Sequence, residues 1–139
     1  MKNRISFVVP GEPVGKGRPR FVRATGRTYT PEKTSNFETL VRWEYHRQCD
    51  GMRFDDGAEL GMKIEARFSI PKGKSKRVQH DMELGLVRPT KKPDADNILK
   101  AVADALNHIA YHDDSSIVYV EVEKVYSHDP QTVVTLWEM

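Results

Sequence analysis

The stretch KKPDADNILKAVADALNHIAYHDD, from Lys91 to Asp114, gathers the residues whose types and spacing could do chemistry. Asp94 and Asp96 follow directly on Lys91 and Lys92, and Asp113 and Asp114 close the run. Helical spacing places Asp96, Lys100 and Asp104 on one stripe, four residues apart. Hard divalent cations prefer oxygen ligands, and Mg²⁺ is typically held by one or two carboxylates together with substrate phosphate. Such an ion polarises a phosphoryl oxygen and activates water. A lysine among the acids, here Lys100, can neutralise charge that develops on the phosphoryl oxygens or help orient water. Acids set within a basic surface are what metal-dependent phosphodiester cleavage requires. Each acid also has an ordinary structural reading. Asp94 is a natural helix N-cap, and Asp96–Lys100 reads as a surface ion pair worth only about 0.3–0.5 kcal/mol.

Two elements must position these groups. Asp94 to Ile109 reads as a helix, with Ile98, Val102, Ala105 or Leu106, and Ile109 as its apolar stripe. Ile117 to Val125, rich in Val, Ile and Tyr, reads as a strand. A helix from Asp94 to Ile109 is roughly 24 Å long. The link Tyr111–Asp114 must therefore lead into a strand that runs back along the helix. How Asp113 or Asp114 returns to the helix start is left open by the residues themselves.

The remaining elements follow from pattern and punctuation. Ile5 to Val9 is a short apolar strand. PGEPVGKGRPR, residues 10–20, holds three Gly and three Pro and excludes a helix or central strand. Phe21-Val22 and Thr28-Tyr29 flank a hairpin turn at 24–27. Thr30, as N-cap, and Pro31 at the first helical position start a helix that stops near Asp50-Gly51. Met62 to Ile70 alternates apolar and polar residues, the mark of a strand with one buried face. Lys74 to Glu83 forms a short basic helix capped by Ser75, and Arg88 to Pro93 is extended. Thr132 to Trp137 is a strand, expected to pair as a hairpin with the one before it across the turn Ser127–Pro130. The sum is an α+β fold in a single domain, residues 1–139, with two main helices on a mixed or mostly antiparallel sheet.

Composition agrees with a soluble globular chain: 38% hydrophobic and 30% charged over 139 residues. No apolar run approaches the roughly 20 residues that span a bilayer. The N-terminal apolar run is too short for a signal peptide. The single Cys49 cannot form an internal disulfide, which fits a reducing cytoplasm. Net charge is only +2, but it is unevenly placed: +6 over residues 1–33, −2 over 34–71, +5 over 72–92 and −7 over 93–139. Two basic segments that meet in space would form a surface for a polyanion. Lys16, Arg18 and Arg20 in the first, with Lys91 and Lys92 in the second, are the candidate DNA contacts. Lys16–Arg20 also looks like the core of an AT-hook.

Competing motifs fail. An EF-hand beginning at Asp94 would need Gly and Glu where Leu99 and Ala105 stand. The His residues and single Cys give no zinc spacing, and no P-loop is present.

RPTKKPDADNILKAVADALN, followed closely by YHDDSSIVYVEVEK, resembles the RusA family of Holliday junction resolvases, many of whose members belong to phages and prophages. GKGRPRF with the downstream TYTPEKT is similar to the N-terminal pattern of the branch found in Gram-positive bacteria and their phages. The resemblance implies a small α+β homodimer that binds four-way DNA junctions and nicks two opposed strands using Mg²⁺ or Mn²⁺, in homologous recombination and DNA repair. It implies that Asp94, Asp96 and Asp114 are the metal-binding acids, with Asp113 beside Asp114 as the alternative, and that Lys100 is the catalytic lysine. It also implies that the second acid cluster reaches the first. Two other functions stay in play: a metal nuclease for other branched DNA, and a DNA-binding protein without catalysis in which the acids are caps and ion pairs.

Overall fold

A computed structural model describes residues 2–139, with the side chain of Arg20 outside the described set. Among the described residues the chain runs β1 (Arg4–Pro10), β2 (Arg20–Val22), β3 (Arg27–Tyr29), α1 (Glu32–Cys49), β4 (Leu60–Ser69), α2 (Lys76–Glu83), α3 (Ala95–Leu106), β5 (Ile117–Ser127) and β6 (Gln131–Glu138). The class is α+β, as expected. β1, β6, β4 and β5 lie in that order in a mixed sheet, while β2 and β3 form a separate hairpin.

β4 takes the centre because its alternation gives one face wholly to the core. Met62, Ile64, Ala66 and Phe68 are buried under the helices, with Lys63 exposed on the other side. β6 adds Val134 and Leu136 to the same core, and β1 adds Phe7 and Val9. α1 contributes Phe37, Val41 and Tyr45, and α3 contributes Ile98, Ala101, Val102, Ala105 and Leu106. Tyr45 packs edge-on against Phe7, with ring centroids 5.4 Å apart, and its hydroxyl donates to Met52 O. Burial pushes that phenol up to about 12.

Two expectations are corrected. β5 and β6 are not hairpin partners: β4 lies between them, parallel to β5 and antiparallel to β6. Strands lie about 4.8 Å apart, and the link from Ser127 to Gln131 can span roughly 13 Å. It therefore steps over one strand. The gain is that β6, with its inward Val134 and Leu136, is paired on both sides, while β5, carrying Glu121, Glu123 and Lys124, takes an edge. The second correction is the end of α3, at Leu106 rather than Ile109. His108 adopts φ 65°, a left-handed conformation that turns the chain back. A smaller shift moves the N-cap of α1 from Thr30 to Pro31, whose carbonyl accepts from Ser35 N at 3.0 Å. The Ser75 cap holds, its hydroxyl accepting from Val78 N at 3.3 Å. Among the described residues no helix is long and apolar enough to cross a membrane.

Candidate active site

The site is built around α3. Asp94 occupies its N-cap with extended backbone, φ −69° and ψ 152°, yet its carboxylate makes no capping hydrogen bond. That leaves an exposed acid at the positive end of a helix. Asp96, in the first turn, is also exposed, and among the described residues its carboxylate has neither a hydrogen bond nor an ion pair.

The glycine-rich segment from Pro13 to Gly17 crosses the start of this helix as a strap. Lys16 N donates to Asn97 O at 2.8 Å. The backbones approach so closely that a Cβ on Gly15 would stand 2.7 Å from Pro93 Cβ and 3.1 Å from Asn97 Cβ. Only glycine permits that contact. Thr34, buried on α1, pins the strap from beneath: its hydroxyl accepts from Gly17 N at 2.9 Å and donates to Gly15 O at 3.3 Å. Lys16, expected on the DNA-facing surface, instead turns inward. Its Nζ lies 2.8 Å from Glu38 Oε2 and 3.2 Å from Asp104 Oδ2, with the side chain only 14% exposed. Burial works against the Lys16 charge, but hydrogen bonds and charge from Glu38 and Asp104 outweigh it and hold its pKa above the ordinary lysine value.

A return turn brings the second acid cluster back. Asn107 N donates to Asp104 O, leaving Ala103 O to accept from the buried Tyr111 hydroxyl at 2.7 Å. Burial raises the Tyr111 pKa strongly, so the phenol remains a donor. Asn107 Oδ1 then accepts from Asp114 N at 3.0 Å, which fixes the backbone where β5 is about to begin. Asp113 turns aside: it caps the 3₁₀ turn Asp114–Ser116, and hydrogen bonds from Ser115 lower its pKa.

Two clefts result, one on each side of α3. The cleft towards β5, about 240 Å³, is lined by Asp96, Lys100, Asp104 and Asp114, with Leu99 and Val120 among its walls. The cleft towards the strap, about 470 Å³, is lined by Asp94 and Asn97 with Lys16, Arg18, Lys33 and Lys92. Asp96, Lys100 and Asp114 thus meet in one place, and Asp94 opens into the neighbouring cleft. Asp104, on the expected stripe but not among the candidate ligands, joins the first group. Its Oδ2 is 3.9 Å from Lys100 Nζ. The four-residue repeat was the signal that could have found it. Lys91 is exposed, and its Nζ lies 5.8 Å from the Phe68 ring centroid. Arg18 and Lys92 are exposed beside Asp94. The Arg20 side chain lies outside the described residues.

The donors facing the β5 cleft are carboxylate oxygens, the chemistry of Mg²⁺ or Mn²⁺ rather than of softer metals. Among the described residues no three His, Cys, Asp or Glu side chains form a ready-made metal cage. Asp104 is paired with Lys16, whereas among the described residues the Asp96 and Asp114 carboxylates that line the same cleft have no ion pair.

Carboxylates line one cleft and cations surround the next, an arrangement suited to meeting a polyanion. The family model for the endodeoxyribonuclease RusA matches residues 10–137. The chain belongs to the RusA family of endodeoxyribonucleases, enzymes that resolve Holliday junctions by hydrolysing phosphodiester bonds. It is also 36% identical over 137 residues to the uncharacterized protein YqaN of Bacillus subtilis (strain 168), a match covering 97% of this chain and 96% of that protein.

Proposed function

We propose that this protein is a divalent-metal-dependent nuclease that resolves four-way DNA junctions by paired nicks, acting as a homodimer in homologous recombination and DNA repair in the cytoplasm. The observation that carries the reading is the shared cleft of Asp96, Lys100 and Asp114 beside the cation-lined cleft of Asp94. Asp96 and Asp114 would hold the ion, with Asp94, in the neighbouring cleft across the start of α3, as the third acid. A bound Mg²⁺ or Mn²⁺ supplies the charge that polarises the scissile phosphate and activates water.

The chain's own groups do the rest. Arg18, Lys33 and Lys92 bind the DNA backbone next to the acids, and Lys91 extends the basic surface. Lys100, loosely paired to Asp104, meets the charge that builds on the phosphoryl oxygens. Lys16, shared by Glu38 and Asp104, offsets part of their charge and keeps the strap on α3. A two-fold dimer with one site per subunit matches a substrate that needs two incisions. The edge strand β5 supports dimerisation, because it leaves Val118, Tyr119 and Val120 exposed. Light scattering at micromolar protein tests this: a stable monomer would remove the paired-incision mechanism.

The deciding experiment is cleavage of an end-labelled four-way junction in Mg²⁺, beside a linear duplex of the same sequence and the Asp96→Asn variant. Symmetric nicks in the junction alone, absent with the variant while junction binding persists, are expected. Nicking of both substrates would leave a nuclease and remove the junction claim. Binding without nicking in Mg²⁺ or Mn²⁺ would overturn the catalytic reading.

A further inference from the structure

The hairpin β2–β3 stands apart from the core. Among the described residues its strands pair only with each other, through Arg20–Tyr29, Phe21–Thr28 and Val22–Arg27. The turn is closed by Gly26 N donating to Val22 O at 2.9 Å, with Gly26 at φ 67°. Every residue from Phe21 to Tyr29 is exposed. Phe21 is 63% exposed, Tyr29 50% and Val22 37%. Burying such side chains would stabilise the fold, yet the fold leaves two rings in water on strands of three residues.

Directly opposed residues of an antiparallel pair share a face. Phe21 therefore projects from one face of the hairpin, and Tyr29 from the other. The charge around them has a single sign. From Pro13 to Pro31 the chain carries five Lys/Arg and no Asp or Glu. Lys16 is paired inward, but Arg23 and Arg27 are exposed on the arm itself, and Arg18 at its root lines the Asp94 cleft. Cations alone would suit intact duplex, whose phosphates are its outer surface. Exposed rings add a surface for π-faces, and bases offer those only where stacking is interrupted.

We propose that β2–β3 is a base-stacking arm: Phe21 and Tyr29 stack on unpaired bases at the branch point, and Arg23 and Arg27 hold the flanking phosphates. This rests on the junction-nuclease reading and names the part of the molecule that distinguishes a branch from a duplex.

The test measures binding in EDTA to a four-way junction carrying 2-aminopurine at the branch, and to a linear duplex. Wild type is compared with Phe21→Ala/Tyr29→Ala, Phe21→Leu/Tyr29→Leu and Arg23→Gln/Arg27→Gln. Base–aromatic stacking gives the expectation that both ring-deleted variants lose roughly 10- to 100-fold on the junction. They should stay within about twofold on the duplex and lose the 2-aminopurine signal change, whereas the arginine variant weakens both substrates. Because the rings lie outside the core, thermal unfolding of these variants should match wild type. Wild-type junction affinity in the alanine variant, equal loss on both substrates, or full rescue by leucine would each overturn the stacking arm. If wild type cuts and prefers the junction while the variants bind it equally well, only the arm is wrong. If wild type neither prefers nor cuts the junction, the functional reading falls and the arm with it.

Discussion

Lys16 Nζ lies 3.2 Å from Asp104 Oδ2, joining residues 88 positions apart, from the strap over the start of α3 to the last turn of that helix. A lysine from the basic N-terminal segment thereby becomes part of the scaffold of the acid cluster. Lys16→Met would leave Glu38 and Asp104 facing each other without their shared cation. The expected loss is about 1–3 kcal/mol of stability, less than for a fully buried pair because Asp104 keeps some solvent and Lys100 nearby. Urea unfolding measures it. Unchanged stability with weaker DNA binding would return Lys16 to the DNA surface.

Asp94 is a cap in position but not in bonding. Asp94→Asn is therefore expected to change unfolding free energy by less than about 0.5 kcal/mol, below the usual cost of losing a bonded cap. On the proposed role it should still cut junction cleavage at least roughly 100-fold, the scale of one well-placed electrostatic group. A stability loss of a full cap with normal cleavage would make Asp94 structural.

Among the described residues Asn107 pairs with no cation and lines neither acid cleft, yet its side chain fixes the amide of Asp114. Asn107→Ala removes that bond, at a cost of about 1 kcal/mol. The expected signature is a lower kcat on the junction with unchanged junction affinity, partly restored by Asn107→Asp, which keeps an acceptor oxygen. A fall in affinity with kcat intact would point to a DNA contact instead.

The acid limb of stability should carry a mark from Glu44. This buried carboxylate accepts from Gln48 Nε2 at 2.9 Å and Arg47 Nε at 2.8 Å, and the Gln48 hydrogen bond, then Arg47, lowers its pKa. A depressed folded-state value stabilises fully above the ordinary glutamate pKa of about 4.3, and the contribution is lost as pH falls through the folded value. The stability gap between wild type and Glu44→Gln should therefore narrow from pH 7 to pH 3 in urea titrations. A gap constant across that range would exclude the linkage.

The legible parts of the fold were those written in nearby residues. The alternation of Met62 to Phe68 showed a strand with one buried face, and Ser75 showed a cap. The four-residue repeat of Asp96, Lys100 and Asp104 places them on one face of a helix. What escaped was decided by distant partners. Ser127–Pro130 reads as a hairpin turn, and nothing local says that β4 lies between the strands it joins. Ile109 continues the apolar stripe of α3, whereas the turn that ends the helix depends on a left-handed His108 and on Tyr111 reaching back to Ala103. Lys16 sits in so basic a stretch that its inward pairing with Glu38 and Asp104 has no local signature.

The return turn after α3 also makes the site's contacts unequal in chain separation. Asp96 and Asp114 are 18 positions apart, whereas Lys16 and Asp104 are 88 apart. Loop-closure entropy grows with the logarithm of that separation, making the strap's closure costlier by roughly 1–2 kcal/mol. The helix, its turn and the start of β5 form a local unit that holds the two carboxylates at high effective concentration, and the glycine strap docks onto that unit from far along the chain. Loosening the strap should then free the N-terminal arm and release Asp104 from Lys16 while Asn107 still holds the Asp114 amide, so on the proposed function DNA binding is expected to fall further than the turn's own order.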